Sequence, residues 1–147
     1  MELRVIWARS GESPTKSLGV GEDLIFSASH WEMPKHVRDS HFGIAICKQD
    51  NLDSLAAAVP TKIGEFLASG RPVVVSNGIG DLDQMLTSTK TGVVVNQSDT
   101  LETISSQIRG LLSDSMTPDR CRALAMQHFD MEKSVDRYLE IYDRMQH

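Results

Sequence analysis

The sequence predicts an α/β fold, a Rossmann-like parallel sheet flanked by helices, with a helical C-terminal segment. Three observations predict it. Short β-branched or apolar runs alternate with helical stretches through Val95, and strands separated by helices pair in parallel with right-handed crossovers. From Pro60 to Asp83 a helix, a glycine cap and a continuous Val73-Val74-Val75 run follow one another directly, and that run reads as a parallel strand buried on both faces. Beyond Val95 the apolar residues recur at helical spacing only.

The elements follow in order. Leu3 to Trp7 is a strand, and a polar stretch through Ser10, Gly11, Pro14 and Gly19 comes next. Asp23 to Ser27 is a second strand, Met33 to Ser40 a short helix opening near Pro34, and His41 to Cys47 a third strand. Gln49 to Val59, polar and small, reads as a loop or turn. Pro60 suits the first helical turn, where its fixed φ helps and its missing N–H is no loss. Gly70 closes that helix where a left-handed cap is usual. Ser76, Asn77, Gly78 and Gly80 follow at the carboxyl end of the valine strand, the side on which open α/β sheets bind ligands. Asp81 to Ser88 is helical, with Asp81 expected to cap it and Asp83 to strengthen its first turn. Gly92 to Val95 is the last strand.

In the C-terminal third, Asp99-Thr100-Leu101-Glu102 has a capping-box pattern, and Leu101, Ile104, Ile108, Leu111 and Leu112 form one apolar stripe. Thr117-Pro118 opens another helix with Cys121, Leu124 and Ala125 facing inward. Asp130 caps a final helix bearing Val135, Tyr138, Leu139, Tyr142 and Met145 at helical spacing. These stripes read as core or interface surface. Residues 1–147 are expected to form a single domain, and no internal repeat or low-complexity tract interrupts them.

Composition narrows the function classes. A chain of 147 residues with 40% hydrophobic and 24% charged content is an ordinary globular mix. The net charge of −5 argues against nucleic acid as a partner, which would need a basic face. No run approaches a membrane span and no signal-peptide pattern follows Met1, so a cytoplasmic location is expected. Cys47 and Cys121 lack metal-ligand spacing and read as small buried hydrophobes. The Asn96-Gln97-Ser98 sequon would go unused in that compartment. The five histidines show no metal spacing, and no Ser-His-Asp, Walker or zinc constellation is present.

Five stretches together resemble one family. They are His30-Trp31-Glu32-Met33-Pro34, Asp39-Ser40-His41-Phe42-Gly43-Ile44-Ala45, the run from Pro60 to Val74, Gly78-Ile79-Gly80-Asp81, and Phe129-Asp130-Met131-Glu132 before Tyr138-Leu139-Glu140-Ile141-Tyr142. In this order they resemble the C-terminal, donor-binding domain of retaining GT-B glycosyltransferases, the glycosyl transferases group 1 type, over residues 24 to 145. The resemblance implies a hexosyltransferase-type enzyme whose donor substrate is a nucleoside diphosphate sugar, with no further cofactor and no metal. It implies that the donor diphosphate rests on the helix beginning near Pro60 and Thr61, where backbone N–H groups and the helix dipole favour negative charge. Lys62 would add a point charge to a phosphate, and Glu65 matches the glutamate that accepts hydrogen bonds from the donor ribose. The base would lie near Ser27, Ala28 and Ser29, held largely by backbone contacts, with His30 lining the pocket. Lys48, at a strand's carboxyl end, is a further candidate for an anionic group.

Two departures from the family pattern carry consequences. Where many relatives have a second glutamate near the transferred sugar, this chain has Ala57. The acceptor-binding N-terminal domain does not fit before residue 23, and the donor domain's own first strand also lacks a counterpart, since Leu3 to Trp7 suits the second. Reading Arg9 and Lys16 as the family's diphosphate-binding pair is the competing alignment, and it leaves too few residues before Asp23 for the usual helix and strand. A vacant central place invites another chain. Three outcomes would answer it: the first strand moves in, two copies associate as a homodimer, or the chain is poorly stable. The first is expected, with Val5 and Ile6 buried and the strand paired on both sides.

The sequence therefore points to the nucleotide-sugar-binding part of a glycosyltransferase, inactive without its acceptor domain. Two alternatives stand beside it: a non-catalytic Rossmann-like nucleotide- or partner-binding module, and part of a nucleotide-sugar epimerase. Asp81 and Asp83 as paired acid–base or metal carboxylates are a weaker reading than their helix-start roles.

Overall fold

Val73, Val74 and Val75 are all buried, the outcome expected of a strand covered on both faces. Around them the computed structural model describes residues 5–6, 25–26, 28–47, 55–58 and 61–145, with the backbone alone at 5–6 and 25–26. The chain divides into two units, Met1–His36 and Val37–His147.

In the first unit β1 (Val5–Ile6) pairs in parallel with β2 (Ile25–Phe26), Val5 opposite Ile25 and Ile6 opposite Phe26. This corrects the expectation for the N-terminal strand. Among the described residues β1 has β2 as its one neighbour, in a sheet of two strands, rather than a partner on each side. The helix α1 (Met33–Asp39) opens on a reciprocal cap that the sequence reading missed. Glu32 accepts from both the backbone N–H (2.8 Å) and the hydroxyl (2.7 Å) of Ser29, while the Ser29 carbonyl accepts from the Glu32 and Met33 N–H groups.

The second unit contains β3 (Gly43–Ala45), α2 (Thr61–Ala68), β4 (Val73–Ser76), α3 (Leu82–Thr89) and β5 (Gly92–Val95). The helices α4 (Leu101–Ser113), α5 (Thr117–His128) and α6 (Met131–Met145) follow. The three strands lie side by side in chain order and all run parallel, Gly43 opposite Val73 and Val73 opposite Gly92. The fold is thus α/β, a small parallel sheet flanked by helices and ending in helices. Its core gathers Ile63 and Leu67 of α2, Val73 and Val75 of β4, Leu82 and Leu86 of α3, and Cys121, Leu124 and Ala125 of α5.

The end of α2 shows why Gly70 stands there. At φ +74° it adopts the left-handed conformation, its N–H bonds the Leu67 carbonyl, and the Arg71 N–H reaches back to the Phe66 carbonyl. That double closure ends the helix, and four residues separate its last residue, Ala68, from the start of β4.

Several expectations need adjusting. Within 49–59, read as loop, Leu55 and Ala56 are helical and Leu55 is buried in the core. Cys121 is buried, but Cys47, just past β3, is only half-buried. Asp81 occupies the cap position of α3 and makes no capping bond with its side chain, because its backbone is not extended as a side-chain cap requires. Thr100 does cap α4, accepting from the Thr103 N–H at 3.2 Å, yet Glu102 stands one position too early to complete the box. Neither α4 nor α6 has a fully buried residue: Ile104, Ile108 and Leu111 of the α4 stripe are half-buried, while the α6 stripe is exposed. Asp130 caps α6 as read, its carboxylate accepting from the Glu132 N–H at 3.0 Å.

Candidate functional site

The candidate site begins with the two faces of α2. Ile63, Gly64 and Leu67 are buried, so the helix turns Thr61, Lys62 and Glu65 outward, and all three are exposed. Thr61 and Glu65 stand four residues apart and Lys62 and Glu65 three, spacings that place side chains next to each other on a helix surface. The helix leads from β3 into the parallel neighbour β4. It therefore runs against the strand direction and brings its amino end to the carboxyl side of the sheet. Its first turn holds no acidic residue, so within the helix itself no carboxylate there offsets the positive end of the dipole.

Beside it the strand exits are tied together. Ser76, buried at the end of β4, accepts from the Cys47 N–H at 2.8 Å and donates to the Cys47 carbonyl at 3.3 Å. The Asn77 N–H bonds the Val95 carbonyl at the end of β5. The turn 77–81 carries two left-handed glycines, Gly78 (φ +79°) and Gly80 (φ +49°). Asp83 stands in the first turn of α3 as expected, and its carboxylate also accepts from the Gly78 N–H at 2.9 Å, tying this turn to the helix. Ser76 and Leu55 had no sequence reading of this kind. A serine closing a valine strand, and a leucine within a polar loop, were the signals available.

Comparison with protein-family models, with curated proteins and with solved structures returns no match.

Of the residues read from sequence, the structure brings Thr61, Lys62 and Glu65 together on one exposed surface. Pro60, Lys48 and Ser27 lie outside the described residues. His30 belongs to the Met1–His36 unit, where it is exposed with its ring edge-on to Trp31 at 5.7 Å. Ser29 gives its N–H to Glu32. That pairing holds the Glu32 carboxyl below the usual range, the Ser29 hydroxyl first and its N–H second.

A groove of about 560 Å³ runs beside β5, lined by Asp83, Lys90, Asn96, Gln107, Asp114 and Arg120 among others. Thr61, Lys62, Glu65 and His30 do not line it. Asp114 there is held below the usual carboxylate range, chiefly by the Met116 N–H and then by Arg120 at 2.8 Å. Among the described residues no three His, Cys, Asp or Glu side chains converge on a position for a metal ion. Among them, too, no helix is long and apolar enough to cross a membrane.

Proposed function

We propose that this chain is the donor nucleotide-sugar-binding part of a glycosyltransferase, one that moves a sugar from a nucleoside diphosphate sugar to an acceptor hydroxyl. One observation carries the reading. The amino end of α2, with no acidic residue in its first turn, presents Thr61, Lys62 and Glu65 together, on the side of a parallel sheet where such ligands bind. The diphosphate would take first-turn N–H groups and Lys62, and Glu65 would accept from ribose hydroxyls. Catalysis in the complete enzyme would consist mainly of stabilising the departing diphosphate by those same dipoles and charges. The finer fold reading, a Rossmann-like donor domain, belongs to this proposal, as does an acceptor-binding domain in the complete protein. Ala57 is exposed where the second glutamate of the family pattern would stand, which removes that carboxylate's role without removing transfer chemistry.

Calorimetric titration of the chain with ADP, GDP, UDP and their common sugar conjugates tests the proposal. Weak binding of at least one nucleotide is expected, with no sugar transferred to an acceptor. Glu65→Ala should weaken that ligand about ten- to a hundredfold, the worth of a charge-assisted hydrogen bond. The same change should leave melting unaltered, since Glu65 is exposed and alanine is the better helix former. Failure of every nucleotide to bind would sink the reading. Turnover by this chain alone would overturn its incompleteness as an enzyme.

A further inference from the structure

We propose that Asp83 is a positioning residue that fixes the amino end of α2 through the turn following β4. The proposal rests on the reading of that helix end as a diphosphate site. Free N–H groups at a helix start bind an anion well only when the helix start is held still. The chain leading into α2 is held at Leu55, whose side chain is buried in the core. The Leu55 carbonyl accepts from the Ala58 N–H at 3.0 Å and from the Gly80 N–H at 3.2 Å. The second of these bonds comes from the turn after β4. That turn also lies directly on the lead-in backbone: a Cβ on Gly80 would stand 3.1 Å from the Ala58 carbonyl oxygen and 3.5 Å from that of Ala56. Ala58 precedes Thr61 by three residues.

What holds the turn is Asp83. Gly78 and Gly80 are both left-handed, and Ile79 between them is fully buried, so the turn has one way to sit. Its anchoring bond to α3 runs from the Gly78 N–H to Asp83 Oδ2 at 2.9 Å. The other oxygen, Oδ1, is shielded from solvent and has no hydrogen-bond partner among the described residues. Burying half of a carboxylate without a donor is unfavourable, and a residue placed at such a disadvantage is set by what its other oxygen does. The series Asp83, Gly78, Gly80, Leu55, Ala58 thus connects the first turn of α3 to the start of α2. Asp81, two positions away and exposed, makes no such bond with its side chain and is the internal control.

The full chain is compared with Asp83→Ala, Asp83→Asn and Asp81→Ala by two measurements: amide hydrogen exchange over 76–81 and 55–58, and calorimetric titration with ADP, GDP and UDP well below the melting temperature. Asp83→Ala is expected to raise exchange at Gly78 and Gly80 and to weaken the tightest nucleotide about tenfold. Asn keeps an acceptor oxygen and should restore both to within about twofold, and Asp81→Ala should change neither. Gly80→Ala presses on the same link from the other side and should weaken the same nucleotide, whether or not Asp83→Ala folds. Unchanged exchange in Asp83→Ala overturns the inference. So does raised exchange with unchanged affinity, since the turn would then be a structural detail only. A wild-type chain that binds no nucleotide, with the exchange effect intact, sinks the diphosphate reading and leaves Asp83 nothing to position.

Discussion

Cys121 shows at the scale of one residue what burial does to chemistry. Its thiol is fully buried on α5 and pushed up to about 11, burial outweighing the opposing charges of Arg120 and Arg122. A raised value means that the neutral thiol is the form the fold prefers. The stability it contributes is fully present below the ordinary value of 9.0 and is lost as pH rises toward about 11, because the unfolded chain ionises first. Melting temperatures followed across that window should fall more steeply for the wild type than for Cys121→Ala. The difference between the two curves isolates the thiol from the lysines and tyrosines that titrate nearby. The native thiol should also resist alkylation at mild pH, where its thiolate is scarce, while the half-buried Cys47 reacts. Equal alkylation of both cysteines in the folded protein would contradict this account.

At the scale of elements, Leu55 carries the clearest expectation. It is buried in the core and its carbonyl holds two backbone bonds, so Leu55→Ala removes packing at the lead-in to α2 while leaving those bonds in place. The loss should be about 2–5 kcal/mol, measured by denaturant unfolding. A value near zero would mean that the segment 55–58 does not dock. Thr100→Ala should lose about 1 kcal/mol through the vacated Thr103 N–H. These two residues also mark what a sequence can and cannot disclose. The β4 strand, the Gly70 cap and the start of α5 at Thr117 were legible because β-branched runs and backbone-special residues act locally. Leu55 was not, since its burial is decided by residues distant in sequence such as Ile79 and Leu82. Asp81 and Asp83 were given separate helix-start roles from sequence, and only the path of the turn decides which one reaches the Gly78 N–H. For the same reason the outward face of α2 was legible from its spacing, whereas the ties of Ser76 and Asp83 that frame it were not.

At the scale of the molecule α6 stands apart from the helices that build the core. Along α6 the residues Val135, Tyr138, Leu139, Ile141, Tyr142 and Met145 are all exposed, and no residue of this helix is buried. A helix of this length is marginal in water by itself. It is helped by the Asp130 cap and by surface pairs such as Arg144–Glu140, which contribute little each. Ending the chain after Asp130 should therefore shift the unfolding free energy of the remainder by no more than about 1 kcal/mol, because buried apolar contact is what stabilises and α6 supplies none. The same truncation should raise solubility by removing the exposed aliphatic and aromatic surface. Truncating one core side chain of α5 instead, Leu124→Ala, should lose several times more, about 2–5 kcal/mol, since Leu124 lies in the core with Ile63 and Leu67. Denaturant unfolding of the two variants side by side decides the matter. If the truncated chain loses as much as Leu124→Ala, then α6 packs on this molecule in solution, and its apolar stripe is core after all.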